Sequence, residues 1–338
     1  MSSSRNTGID TLRGIGVLVV VMVHAGISGT LLRGALVIAV PLFYLAAGYT
    51  CKDTGTLRGL VTCKFRRLIV PFMFYAAAGL AIYTAGNCLL LHKPMQWHLF
   101  NILSADRTYL PYPAALWFFL SIFWCYMLHG AISRITRSDT QRAALCLSVG
   151  VAGWILSRYA ALPLSFDTSM SWLPFFYIGN MLARYGFCRD RLKPRTAASG
   201  AIVAIACCAG YVAAGYNVGY CYNIFVGSIP LIILLTLGAT LGTLCACSGV
   251  GKIPVITYLG RNSLVVFAGH QHFMIIIRQS LEQMHVATDS ALFEYLLAAA
   301  SIAASIMTAT IVRKIAPQLI GEQKLIRDRT TNSIAVGK

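Results

Sequence analysis

GIDTLRGIGVLVVVMVHAGI, residues 8–27, decides the fold. Its length matches the hydrocarbon thickness of a bilayer, and its only ionisable residues are Asp10, Arg13 and His24. An ionisable group inside a membrane span is costly, so it reads as a functional site before it reads as packing. Arg13 and His24 are eleven residues apart, within about 20° of one helical face and about 16 Å along the axis. Asp10 lies one turn before Arg13 on that face, where it can pair with the guanidinium. The alternative reading is that Asp10 and Arg13 only mark the cytoplasmic end of the helix. His24 sits too deep in this span for its side chain to reach the interface.

Outward from this segment the same composition repeats. The chain has 338 residues, 57% of them hydrophobic and only 12% charged, which excludes a water-soluble domain of this size. The apolar windows predict an all-α, polytopic bundle of about ten spans, near 11–31, 35–51, 68–90, 112–133, 143–161, 170–186, 198–215, 222–246, 255–279 and 291–312. The second is short and contains Pro41. One membrane-embedded domain, 1–316, precedes a short basic tail, 317–338. A first apolar run with no small-residue cleavage site, flowing into a second span, reads as a retained helix.

The net charge of +17 could suggest nucleic acid, but its distribution argues against it. About 23 of the 28 Lys and Arg fall on one side of the ten-span arrangement, leaving Arg33, Lys93, Arg107, Arg158 and Arg278 on the other. The positive-inside rule then places both termini in the cytoplasm, with anionic lipid as the partner of the charge. The eleven cysteines show no metal-binding spacing. Cys88 and Cys221 fall near the outer face and could pair in an oxidising compartment. His270 and His272 are two residues apart and point to different parts of a helix, so no metal is expected.

Two loops could meet a substrate. The outer segment from Asn87 to Pro113 carries Trp97 and Tyr109, followed by Trp117, and its rings suit the C–H face of a sugar; interfacial anchoring gives a similar composition. The inner segment Cys51–Arg67 ends in a cationic collar of Lys64, Arg66 and Arg67, suited to cofactor phosphates or to lipid anchoring. In the ninth span Ser263 and His270 share a face, with Arg261 and Asn262 at its start, and His270 lies at a depth similar to that of His24.

Taken together these segments resemble the acyltransferase-3 family, the integral-membrane O-acyltransferases of bacterial surface glycans. The opening GIDTLRGIGVLVVVMVHA looks like the family's first-helix pattern. VPLFYLAAGYT (40–50), KFRRLIVPF (64–72), LWFFLSIFW (116–124), LPFFYIGNMLAR (173–184) and YLGRNSLVVFAGH (258–270) follow in the family's order. Ala47 stands where the second-span pattern usually has Ser. The resemblance implies transfer of an acyl group, most often acetyl, from cytosolic acyl-CoA to a carbohydrate hydroxyl, in a bacterial cytoplasmic membrane. It implies Arg13, Lys64, Arg66 and Arg67 at the donor's phosphates and His24 as general base or transient acyl carrier. Asp10 would hold Arg13, and Asn262, Ser263 or His270 would serve the oxyanion. The competing reading is a transporter or exporter of a polar solute or lipid-linked glycan, with Arg13, His24 and His270 along its path.

Overall fold

The computed structural model describes residues 6–52, 55–86, 88 and 114–322. Asn6 starts helix α1 (Thr7–Ala25) by accepting a hydrogen bond from the Ile9 N–H at 3.2 Å. Gly26, in the left-handed conformation at φ 102°, ends it. The Gly26 N–H returns to Val23 O and the Ile27 N–H to Met22 O, which satisfies two carbonyls the last turn would leave open. The helix is therefore displaced toward the N-terminus from the expected 11–31, and His24 falls in its last turn. There the residue surface of His24 is exposed.

The second expected span is two helices, α2 (Thr30–Ala39) and α3 (Pro41–Tyr49), broken where Pro41 has no N–H to continue the ladder. The basic collar is helical, not a loop. Thr56 caps α4 (Leu57–Lys64), which passes through a π-helical turn, Phe65–Ile69, into α5 (Val70–Ala85). Pro71 explains that turn: it cannot donate to Arg67 O, so the ring of the ladder widens by one residue.

The remaining helices are α6 (Trp117–Ile135), α7 (Asp139–Leu156), α8 (Phe166–Arg184), α9 (Pro194–Ala213), α10 (Ile229–Val250), α11 (Pro254–Arg261), α12 (Ser263–Gln283) and α13 (Ala291–Ile315). A short antiparallel hairpin, Asn217–Gly219 with Ile224–Val226, joins α9 to α10. Among the described residues, seven helices or helix pairs are long and apolar enough to cross a membrane: α1, α2–α3, α4–α5, α6, α9, α10 and α13. The other three expected spans, α7, α8 and α12, are helices of 18, 19 and 21 residues. Polar residues such as Asp167 and His270 make them less apolar.

Between helices in a membrane, close backbone contact replaces the hydrophobic drive available in water. Gly48 of α3 and Gly179 of α8 form one such crossing: a Cβ on Gly179 would lie 2.0 Å from Leu45 O. Gly14 and Gly260 form another between α1 and α11, and it positions the site. A Cβ on Gly260 would lie 1.6 Å from Asp10 O, so only glycine permits this approach. After α13, Pro317–Ile320 forms a 3-10 turn with Pro317 and Ile320 buried, so the first residues of the expected tail pack on the bundle. Among the described residues no disulfide joins Cys88 to Cys221.

Candidate functional site

One end of the bundle gathers the cations. There the N-terminal half of α1, the C-terminal end of α3, the π turn and the α11–α12 junction enclose a cavity of about 420 Å³. Asp10, Arg13, Lys64, Arg67, Arg261 and Ser263 line its polar part, and Phe43, Phe118 and Phe267 are among its apolar walls. The close crossing at Gly260 sets Asp10, itself buried, against Arg261, whose Nε donates to Asp10 Oδ2 at 3.2 Å. Arg261 is thus a partner for Asp10 that spacing along α1 did not suggest. Arg13 donates from Nη2 to Thr50 Oγ1 at 2.9 Å and to Ala46 O at 3.1 Å, which fixes its guanidinium against the end of α3.

The expected phosphate ligands divide. Lys64 and Arg67 line the cavity; Arg66 is exposed and does not. Adjacent residues stand about 100° apart around a helix, so Arg66 and Arg67 cannot both face the cavity. Lys64 also places its ammonium 3.5 Å from the centre of the Tyr126 ring, whose hydroxyl donates to Ala47 O at 3.1 Å.

About 20 Å farther along α1, taking 1.5 Å per residue from Asp10, lies the second part of the site. His24 Nδ1 and His270 Nε2 are 2.8 Å apart, and the rings stack at 5.0 Å with an interplanar angle of 23°. His270 Nδ1 is 2.9 Å from Val266 O. A carbonyl oxygen only accepts, so His270 carries its proton on Nδ1 and presents a lone pair at Nε2. His24 must then donate from Nδ1, which leaves the lone pair of its Nε2 outward. His24 Nε2 meets no hydrogen-bonding group among the described residues. Two hydrogen bonds in series, the second anchored on the Val266 carbonyl, thus select one tautomer and one orientation for the exposed base.

Phe267 links the two parts. It lines the cavity, packs on Phe43 and Phe118 at centroid distances of 5.7 and 5.0 Å, and meets the His270 ring at 6.1 Å. Arg13 and His24 share a helix face as the sequence indicates, but they belong to different compartments. At the far end, Arg278 donates to Ala25 O at 3.0 Å and lies over the Phe293 ring. Neither Arg278 nor Glu294, which lies close against Gly26, stood out in the sequence as site residues.

The other expected positions fall as follows. Ser263 lines the basic cavity and stands about 10 Å along α12 from His270, so the two do not converge. Asn262 is buried and engaged: it donates to Tyr258 O and accepts from Arg313. His272 bonds to Tyr75 O at 2.8 Å, away from His270. Trp117 opens α6 as a buried ring against Phe118, not as part of an open loop. Trp97 and Tyr109 lie outside the described residues.

An apolar helical bundle holding a basic cavity at one end and a hydrogen-bonded histidine pair beyond it defines a multi-pass membrane protein with an embedded site. The family model described as an acyltransferase domain matches residues 6–310, nearly the whole chain, and the protein belongs to the acyltransferase-3 family. It is a membrane acyltransferase, acting between an acyl donor and an acceptor. Comparison with curated proteins and with solved structures gives no match.

Proposed function

We propose that this protein is an O-acyltransferase that moves an acyl group, in the simplest case acetyl, from cytosolic acyl-CoA to a hydroxyl of a cell-surface or exported carbohydrate. On this reading the chain crosses a bacterial cytoplasmic membrane ten times with both termini inside, so the basic end faces the cytosol. Acyl-CoA carries its charge on phosphates at one end and its thioester on a long polar arm at the other. Lys64, Arg67 and Arg13 at the cavity mouth suit the first, and the deeper aromatic walls suit the arm. The observation that carries the proposal is the His24–His270 pair at the far side of those walls, with one lone pair facing outward.

His24 Nε2 takes the proton of the acceptor hydroxyl as its oxygen attacks the thioester carbonyl. The tetrahedral intermediate collapses with cleavage of the C–S bond, and the departing thiolate takes the proton from His24. The products are the ester and free CoA, and His24 is regenerated. His270 accepts from His24 Nδ1 throughout, holding the ring and supporting the imidazolium while it exists.

The test is release of free CoA and transfer of radiolabelled acetyl from acetyl-CoA in inverted membrane vesicles, with intact protein or His24→Ala at equal expression. Turnover by the first and none by the second supports acyl transfer with His24 at its centre. Turnover by both keeps the enzyme and removes His24 from the chemistry. If no carbohydrate acceptor supports turnover and acetyl-CoA does not bind, the acyl-CoA reading is wrong.

A further inference from the structure

A second cavity opens at the basic end, with a volume of about 330 Å³. Four cations reach it from different elements: Lys52 from the segment after α3, Arg134 from α6, Arg142 from α7 and Arg184 from α8. Among the described residues one carboxylate answers them. Asp139 pairs with Arg142 and with Arg184, and hydrogen bonds from Arg184 and Tyr185 hold its carboxyl below the usual carboxylate range, so it stays ionised. Among the described residues, four positive charges face one negative charge before any ligand enters. Arg134 is braced by Gly130 O and by Gly55 O, the latter at 3.0 Å, which fixes its guanidinium at the rim. Ser133 Oγ is buried in the wall with no hydrogen-bond partner among the described residues. His129 forms part of the floor, fully buried against the Phe176 and Tyr177 rings.

This cavity and the donor cavity share a wall, the Tyr126 side chain, with Lys64 seated over its ring. Converging guanidinium and ammonium groups with a hydroxyl donor fit a phosphomonoester, which offers about two charges and three acceptor oxygens. A donor whose arm runs along the Phe118–Phe267 walls leaves its nucleotide end at the mouth, beside Tyr126. We propose that this second cavity binds the ribose 3′-phosphate of acyl-CoA, while Lys64 and Arg67 hold the pyrophosphate. The proposal rests on the acyl-CoA reading above and adds to it a selectivity for the phosphorylated ribose.

The experiment compares equilibrium binding of coenzyme A and 3′-dephospho-coenzyme A, which differ by that phosphate alone, to the purified full chain in detergent micelles. Intact protein should bind coenzyme A about tenfold or more tightly, the effect of one or two charge-assisted contacts. Lys52→Gln, an exposed position, and Arg134→Gln should each reduce that preference, and together bring coenzyme A to the affinity of the dephospho form, which itself stays unchanged. Lys64→Gln should weaken both ligands alike. Equal binding of the two coenzymes by intact protein, or equal loss of both in the Lys52 and Arg134 variants, overturns the second-cavity assignment and leaves the donor reading standing. Binding of neither overturns both. Stabilisation by phosphatidic acid in the micelles, lost in the Lys52 and Arg134 variants and unaccompanied by any coenzyme A preference, gives the cavity to a lipid headgroup and overturns the nucleotide.

Discussion

Replacing His270 by Phe tests the histidine pair where it is most specific. The substitution keeps an aromatic ring beside Phe267 but removes the acceptor for His24 Nδ1 and the anchor to Val266 O. With both rings neutral, that hydrogen bond contributes about 0.5–1.5 kcal/mol; once His24 holds the acceptor's proton the donor is charged and the bond contributes about 1.5–3 kcal/mol. The difference, about 1–2 kcal/mol, acts only during proton transfer and corresponds to a loss of about 5- to 30-fold in kcat. Release of the ring from its fixed tautomer and orientation adds to this, so the expected loss is about 10- to 100-fold with KM for the donor unchanged. His270→Gln restores a carbonyl oxygen to accept from His24 and should recover most of that loss. His24→Ala removes the base and should cost about 10²- to 10⁴-fold. The assay is steady-state CoA release at saturating acceptor, with folding checked by size-exclusion in detergent. A kcat within twofold of intact protein for His270→Phe would refute the positioning role, as would a Gln variant no better than Phe. If every substitution of His270 abolished turnover as completely as His24→Ala, His270 would itself be a reacting group.

Three further outcomes follow from the packing. Arg67→Gln should raise KM for acyl-CoA about 10-fold or more, an effect that shrinks as salt rises, while Arg66→Gln leaves KM unchanged because only the first of these residues lines the cavity; kinetics at two ionic strengths separate them. Gly260→Ala forces a methyl into Asp10 O, from which it would stand 1.6 Å, so α1 and α11 must part. Thermal unfolding in detergent should show a loss exceeding the about 1–3 kcal/mol of ordinary overpacking, with activity falling in step. Phe118→Ala opens the wall it forms with Phe43, Tyr44 and Phe267 and should cost about 3–5 kcal/mol of stability. It should also raise acceptor-independent hydrolysis of acyl-CoA, measured as CoA release without carbohydrate.

The helices were legible because hydrophobic windows report burial in lipid directly. Each of the ten expected apolar windows coincides with a helix or helix pair, and the break in the second follows from Pro41. The boundaries were less so. Gly26 ends α1 through a cap that depends on one left-handed residue, and a glycine in an apolar window does not stand out from its neighbours. The π turn at Phe65–Ile69 has a visible cause in Pro71, yet which of the adjacent Arg66 and Arg67 faces the cavity is a matter of three-dimensional register. Pairings across helices were beyond any periodicity: Asp10 meets Arg261, and His24 meets His270, over separations of 251 and 246 residues. What periodicity did supply was the common face of Arg13 and His24, and the structure gives that spacing a reason. A base that must take up a proton and become an imidazolium is opposed by a cluster of cations beside it, and phosphates follow a thioester into apolar surroundings only at a large desolvation cost. On the proposed acyl-CoA reading, placing the two about 16 Å apart on one helix, with Phe267 between the cavity and the histidine pair, would keep the charge of a long donor at the basic end and direct its thioester toward the imidazole.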